Sequence, residues 1–504
     1  MNDLSINWPS VLRWLAGGLA VSLVAIFLGL MSALAPVLAI LLSILVVILA
    51  ILAGGYVWAR HISMQNGQLA LYLLLFWVWV VNMPAIMAFD TSGITRPDLF
   101  NPQSIGRIIM FFLVGLGFVI NFFNITRQEA AVVPKVWPLL TLPLLIYGWY
   151  LVDALLVLRG QDLQLALYRI AEWFLLLFLI AAVVARAPVN SVERENWLLR
   201  VVFVVLLFML LITLVILPIA PNWIYLADQS GLRRLQNPFA HPNTLGVLAG
   251  MAFFYLLERK PRFFRLGLLL AFGIMAATYS RGAWAGFALA TAFYLLLRPR
   301  TMQGRFFSAM AMIFVAALAW VSQDLFIDSV EHILARGGSV TSLKTASERT
   351  EVWQASRVLI SEAPVLGHGF VAGPKKLADV MAGGKTATYF RAPHAHNEFL
   401  QTQIDGGILA TLLLVIFLVR TLFLLKALAK YVSPHFFRCA TAWVIMLWTF
   451  GMLTPNISGQ LFILGTLLLY LYVVLELLYA ERRVATAPFP QIQPNGVVNV
   501  IAQR

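Results

Sequence analysis

Arg391-Ala-Pro-His-Ala-His-Asn-Glu-Phe-Leu-Gln401 joins the polar segment Ser322 to Pro393 to an apolar run that continues to Leu425. A run of that length and polarity matches the roughly 20 apolar residues that cross a bilayer as an α-helix. The stretch therefore sits at a boundary between water and hydrocarbon. Two histidines, an asparagine and an arginine gathered there point to chemistry at one membrane surface.

The rest of the chain agrees with a membrane setting. Of 504 residues, 61% are hydrophobic and 12% charged, and the mean hydropathy is +0.86. A water-soluble core cannot hide that much apolar surface. Only helices and closed barrels satisfy every backbone group inside lipid, and alternating ten-residue strands are absent from the sequence, so the fold class is an all-α polytopic membrane protein. The single cysteine, Cys439, excludes an internal disulfide and thiolate metal clusters. A net charge of +14 fits basic loops at a membrane better than nucleic-acid binding.

Apolar runs predict spans at Val11 to Leu30, Pro36 to Trp58, Leu69 to Phe89, Ile108 to Phe123, Trp137 to Leu158, Leu163 to Val184 and Trp197 to Ile219. Further spans are predicted at Thr244 to Leu257, Leu266 to Thr278, Ala283 to Leu297, Phe306 to Val321, Phe399 to Leu425, Phe437 to Met452 and Leu461 to Leu478. That gives about 14 helices, with about 12 as the lower bound. The first run is too long for a signal-peptide core and reads as an uncleaved span. One alternate set of loops holds most of the lysine and arginine, including Arg259, Lys260, Arg262, Arg265, Arg482 and Arg483. By the positive-inside rule that set is cytoplasmic, as are both termini. The chain then divides into two N-terminal helices (1–62), helices with short arginine-bearing outer loops (63–321), a large, mainly helical outer segment (322–396), C-terminal helices (397–480) and a tail (481–504).

Arginine on the outer face opposes the insertion bias, so its positions are informative. It occurs in Gly231-Leu-Arg-Arg-Leu-Gln-Asn-Pro-Phe-Ala-His-Pro-Asn243, in Tyr279-Ser-Arg-Gly-Ala-Trp284, and around Arg391 with Lys375, Lys376 and Lys385. A guanidinium fork matches phosphate oxygens bidentately, which suits a lipid-linked phosphate or diphosphate. A neighbouring histidine can take a proton from a hydroxyl nucleophile. Pro393 allows a helix to begin just after it, bringing a positive helix end to the same place. The structural readings are snorkelling for Arg233 and Arg234, a turn for His241 and a cap for the histidines. Asp153, Arg169 and Glu172 are ionisable groups within spans; Arg169 and Glu172, one turn apart, can neutralise each other. No Asp-x-Asp or Glu-x-x-His pattern accompanies the histidines, so no metal is expected.

The order of motifs resembles the O-antigen ligase and O-antigen polymerase superfamily. These are Arg234-Leu-Gln-Asn-Pro-Phe-Ala-His-Pro-Asn243, Ser280-Arg281-Gly, Arg349 with Trp353, Pro364-Val-Leu-Gly-His-Gly-Phe370, and His394-Ala-His-Asn-Glu-Phe-Leu-Gln401 followed by Gly406-Gly407. The resemblance covers roughly residues 110 to 480. It implies a glycosyltransferase of the lipid-donor type, without metal, nucleotide or other cofactor. Its ligase branch moves O-antigen from undecaprenyl diphosphate to lipid A-core at the periplasmic face of the bacterial inner membrane. The resemblance makes His396 the base and has Arg234 and Arg281 bind the diphosphate. It leaves Arg233, Asn243, Arg349, Lys375, Arg391, His394, Asn397 and Gln401 as substrate-binding candidates. The polymerase, with a second lipid-linked glycan as acceptor, is the alternative. A flippase or secondary transporter is the more remote one, because transporter sites lie near the midplane.

Overall fold

The computed structural model describes residues 133–184, 191–219, 225–227, 233–237, 240–297, 349–381, 394–452 and 463–486. These all belong to one unit of the chain. The predicted spans Val11 to Leu30, Pro36 to Trp58, Leu69 to Phe89, Ile108 to Phe123 and Phe306 to Val321 lie outside the described residues.

Where the chain is described, nearly every apolar run is a helix, because a helix bonds its own backbone groups without help from water. In chain order these are α1 (Val133–Val157), α2 (Gly160–Val184), α3 (Ser191–Ile219), α4 (Pro242–Arg259), α5 (Phe264–Ala277), α6 (Arg281–Leu297), α7 (Arg349–Glu362), α8 (Gly373–Met381), α9 (Glu398–Leu428), α10 (Pro434–Gly451) and α11 (Ile463–Thr486). Four of them are long and apolar enough to cross a membrane: α1, α3, α9 and α11; α5 and α6 are shorter apolar helices. Several starts are explicit in the sequence. Pro242 opens α4 while His241 Nδ1 accepts from the Asn243 N–H, and Pro434 opens α10 while Ser433 Oγ accepts from Phe436. The helix expected just after Pro393 begins later, at Glu398, because Asn397 caps it by accepting from the Phe399 and Leu400 N–H groups.

Helix α4 packs against α3, α5, α6 and α10, while α1, α2, α9 and α11 form a second set of neighbours. Tyr147 stacks on Trp173 with centroids 5.0 Å apart between α1 and α2, and Trp443 of α10 donates to Met251 O of α4 at 2.8 Å. Outward faces are apolar too: Leu266 and Leu269 of α5 and Leu412, Ile416 and Val419 of α9 are exposed, as a hydrocarbon surrounding favours. Several charges inside are paired. Arg169 and Glu172 form the anticipated ion pair at 2.8 Å, and Arg420 of α9 grips Glu476 of α11 at 2.7 and 2.8 Å. Glu258, at the end of α4, takes two bonds from Arg438 near the start of α10 and contacts His435 Nδ1 at 2.6 Å.

Two features depart from the helical pattern. A two-stranded antiparallel hairpin joins α3 to α4: β1 (Tyr225–Ala227) pairs with β2 (Arg233–Leu235), with Leu226 opposite Arg234. Helix α9 also breaks at Gly407, whose backbone stands at φ 65°, ψ −163°. The polar groups freed by that break are taken up by other parts of the chain. His368 and Gly369 N–H donate to the Ile404 and Asp405 carbonyls at 2.7 and 3.0 Å, Ile408 N–H donates to Pro364 O at 3.1 Å, and Trp149 Nε1 donates to Gly406 O at 2.8 Å. The Pro364–Phe370 motif is therefore a plug for a broken helix. Non-helical backbone at such a place is tolerable only when protein buries it.

Candidate active site

Strand alternation sorts the Arg233-Arg234 pair. Successive side chains of β2 point to opposite faces, so Arg233 is exposed and Arg234 is only 5% exposed. Arg234 Nε donates to Thr278 O at 3.1 Å, and its Nη2 donates to Asn243 Oδ1 at 2.6 Å. The first arginine loop is thereby fastened to the second. Asn237 secures the same loop from behind by donating to Thr213 Oγ1 of α3 at 3.0 Å.

The second loop is the turn Thr278–Ser280. Ser280 is buried and caps α6: its Oγ accepts from the Ala283 N–H at 3.3 Å. Arg281 is consequently the first residue of α6, half-buried and beside the positive end of that helix. Helix α4 can come this close because position 246 is glycine; a Cβ there would lie 2.8 Å from both Ala283 Cβ and Thr278 Oγ1.

The third part is the loop 394–397 before α9. His396 has φ 50°, a left-handed backbone that costs a non-glycine residue on the order of 1 kcal/mol and persists only where surroundings enforce it. Those surroundings are visible. His396 N–H donates to His394 Nδ1 at 3.2 Å, and the two rings lie 4.0 Å apart. Ala395 N–H donates to Gln401 Oε1 at 2.9 Å, and Trp353 Nε1 donates to Ala395 O at 3.0 Å. Asn397 caps α9 with its oxygen while its Nδ2 donates to Met452 O at 3.2 Å.

That last bond connects the histidine loop to the arginine loops. Met452 follows α10, which runs antiparallel to α6: Gly286 faces Met446 and Thr449, whereas Tyr294 bonds Glu258 and Arg438 at the opposite ends. The C-terminal end of α10 and Arg281 therefore share one end of the bundle. The Arg234–Asn243 bond, the Thr278–Arg281 turn and the His394–Asn397 loop gather there from three separate stretches.

Other expected substrate contacts are engaged differently. Gln401 is 2% exposed, and both ends of its amide bond inside the protein, where it braces the loop. Asn243 uses its side-chain oxygen on Arg234. Lys375, on α8, pairs with Asp162 at the start of α2 at 3.0 Å on the exposed surface. Arg349 is the first residue of α7, and Arg391 lies outside the described residues. Asp405 is not among the residues expected from the sequence, although an acid inside an apolar run is itself a signal of function. It is fully buried and accepts from Gln401 Nε2 and from Gly373 N–H, both at 2.9 Å. Among the described residues no group of His, Cys, Asp and Glu side chains is arranged to hold a metal.

Residues 266–415 match the family model described as O-antigen ligase. That region includes the Ser280-Arg281 turn, the plug and the histidine loop, and leaves Arg234 and Asn243 outside it. The chain is also similar to an uncharacterized protein of Haemophilus influenzae, 20% identical over 189 residues, which are 36% of this chain and 47% of that protein. The aligned stretch thus spans about half the length of that relative.

Proposed function

We propose, from the match of residues 266–415 to the O-antigen ligase family model, that this chain belongs to the O-antigen ligase and O-antigen polymerase superfamily and is a glycosyltransferase acting on a lipid-linked glycan. The specific reaction we propose is transfer of O-antigen polysaccharide from undecaprenyl diphosphate to a sugar hydroxyl of lipid A-core. It takes place at the periplasmic face of the inner membrane, in an enzyme of about 14 helices with both termini cytoplasmic. Supporting it is the convergence of the Arg234 and Arg281 loops with the His394–Asn397 loop at one end of the bundle, tied by the Asn397–Met452 bond.

In this mechanism His396 takes the proton of the acceptor hydroxyl as its oxygen attacks the anomeric carbon. The bond from that carbon to the diphosphate oxygen breaks on the opposite side, so the configuration inverts in one displacement. The charge left on undecaprenyl diphosphate falls to Arg281, aided by the N-terminus of α6, and to Arg234, whose guanidinium is fixed in advance by Thr278 and Asn243. Fixed donors need little reorganisation as charge develops, which is the source of their catalytic effect. His394 and Asn397 hold the loop that carries His396.

Purified protein reconstituted with undecaprenyl-diphosphate glycan and lipid A-core, with chelator and no nucleotide, should place glycan on lipid A-core. Elongation of the donor alone would instead identify a polymerase, and neither product would revive the transporter reading. Arg281→Lys keeps the charge and loses the fork, so donor turnover should fall about 100-fold, the scale of losing one charge-stabilising donor. Unchanged kinetics in that variant would remove bidentate phosphate recognition from the mechanism.

A further inference from the structure

The peptide between the two histidines is held by a chain of hydrogen bonds whose polarity is fixed at both ends. Ala395 N–H can only donate, and it meets Gln401 Oε1 at 2.9 Å. The other end of that amide, Nε2, must then face an acceptor, and it meets Asp405 Oδ2 at 2.9 Å. Asp405 Oδ1 in turn accepts from Gly373 N–H at 2.9 Å, the backbone donor that opens α8. Between two donating backbone groups, the order glutamine then aspartate satisfies every contact. Ala395, Gln401 and Asp405 are 0%, 2% and 0% exposed, so water cannot replace a lost partner.

We propose that Gln401 and Asp405 form a positioning relay that sets the backbone of His396, Asp405 dictating which end of the Gln401 amide faces the loop. Neither side chain touches the reacting atoms. Their effect passes through Ala395 to the left-handed residue beside it, and Trp353 holds the opposite side of the same peptide by bonding Ala395 O. The relay also ties this loop to the break in α9, because Asp405 O accepts from Gly369 of the plug while the Asp405 carboxylate accepts from Gly373. The plug, the broken helix and the histidine loop are thus one hydrogen-bonded unit. The catalytic part of this proposal rests on the reading of His396 as base.

The fixed polarity of these bonds supplies a sharp test. In Asp405→Asn, an amide of the same size must keep its oxygen toward Gly373 N–H, which turns its NH2 toward Gln401. Gln401 then either flips, setting its own NH2 against Ala395 N–H, or faces donor with donor. The double variant Gln401→Glu with Asp405→Asn exchanges the two groups. The carboxylate now at position 401 accepts from Ala395 N–H and from the amide at position 405, whose own oxygen accepts from Gly373 N–H, so the whole pattern is restored. Two measurements are made on full-length protein in lipid nanodiscs: glycan transfer from undecaprenyl-diphosphate glycan to lipid A-core, and hydrogen exchange of the Ala395 amide by mass spectrometry with fragmentation.

For Asp405→Asn, kcat should fall about 100-fold, the scale of a sub-ångström to 1 Å misplacement of a catalytic group, with KM for the donor unchanged. Its Ala395 amide should exchange at least tenfold faster. The double variant should regain slow exchange and a kcat within about tenfold of wild type, consistent with a mutational penalty that is strongly non-additive. Asp405→Asn with wild-type kcat and wild-type exchange overturns the relay, and so does a double variant as impaired as Asp405→Asn. Failure of the catalytic reading would look different: wild-type protein transfers no glycan, yet the exchange pattern still follows the swap.

Discussion

Replacing His396 with alanine should lower glycan transfer about 1,000-fold while leaving the protein folded and donor binding intact, the range expected when a general base is removed. The loop around it supports this outcome. His396 keeps a left-handed backbone at φ 50°, and Gln401, Trp353, His394 and Asn397 each hold a backbone group beside it or its connection to α10. A loop whose backbone is held at four places keeps the residue it carries in one position, which is preorganisation. His394 has a different task, since its Nδ1 accepts from the His396 N–H. His394→Ala should cost about tenfold, the scale of one hydrogen bond. Equal losses in the two variants, or a His396→Ala protein with wild-type turnover, would take the base away from His396. Single-turnover measurements with saturating donor separate a defect in chemistry from one in binding.

Gly407→Ala should be the most damaging substitution for folding among the described glycines. Its φ of 65° and ψ of −163° lie in a region that only glycine enters readily. A Cβ there would overlap the Val365 carbonyl oxygen and carbon, which are backbone and cannot rotate aside. Strain and overlap together should cost at least about 3 kcal/mol, visible as a lower melting temperature in detergent and less protein in the membrane. The plug should detach with it, so the amides of His368 and Gly369 should exchange faster. Gly148→Ala in α1 is the matched control: nothing lies within 4 Å of its Cβ, and the substitution should be neutral or stabilising by up to about 1 kcal/mol. A Gly407→Ala protein that melts with the Gly148→Ala protein would show that the break in α9 is dispensable.

Much of the helical scaffold was legible because its signal is local. Apolar runs at Trp137 to Leu158, Leu163 to Val184, Trp197 to Ile219 and Phe399 to Leu425 became α1, α2, α3 and α9 with ends moved by a few residues. The capping chemistry of Pro242, Ser433 and Asn397 is equally local and accounts for where α4, α10 and α9 begin. Gly406-Gly407 was visible as a motif, but its meaning was not. Reading it as a break requires the plug from Pro364 to Phe370 and the indole of Trp149, which is 257 positions from its partner Gly406.

The sequence by itself determined the apolar helices, long enough in several cases to cross a membrane, and it singled out arginines and histidines suited to phosphate and hydroxyl chemistry, because hydropathy and functional groups are properties of single residues. Only the tertiary structure decided what each of them bonds. It turned Arg234 inward and Arg233 outward through the pairing of β1 with β2, and it engaged the side chains of Asn243 and Gln401 in bonds to Arg234 and Ala395. It also brought the arginine loops and the histidine loop to the same end of the bundle. The physical reason is that a side chain's role depends on which donor or acceptor fills its hydrogen-bonding positions, and here that partner comes from a distant part of the chain.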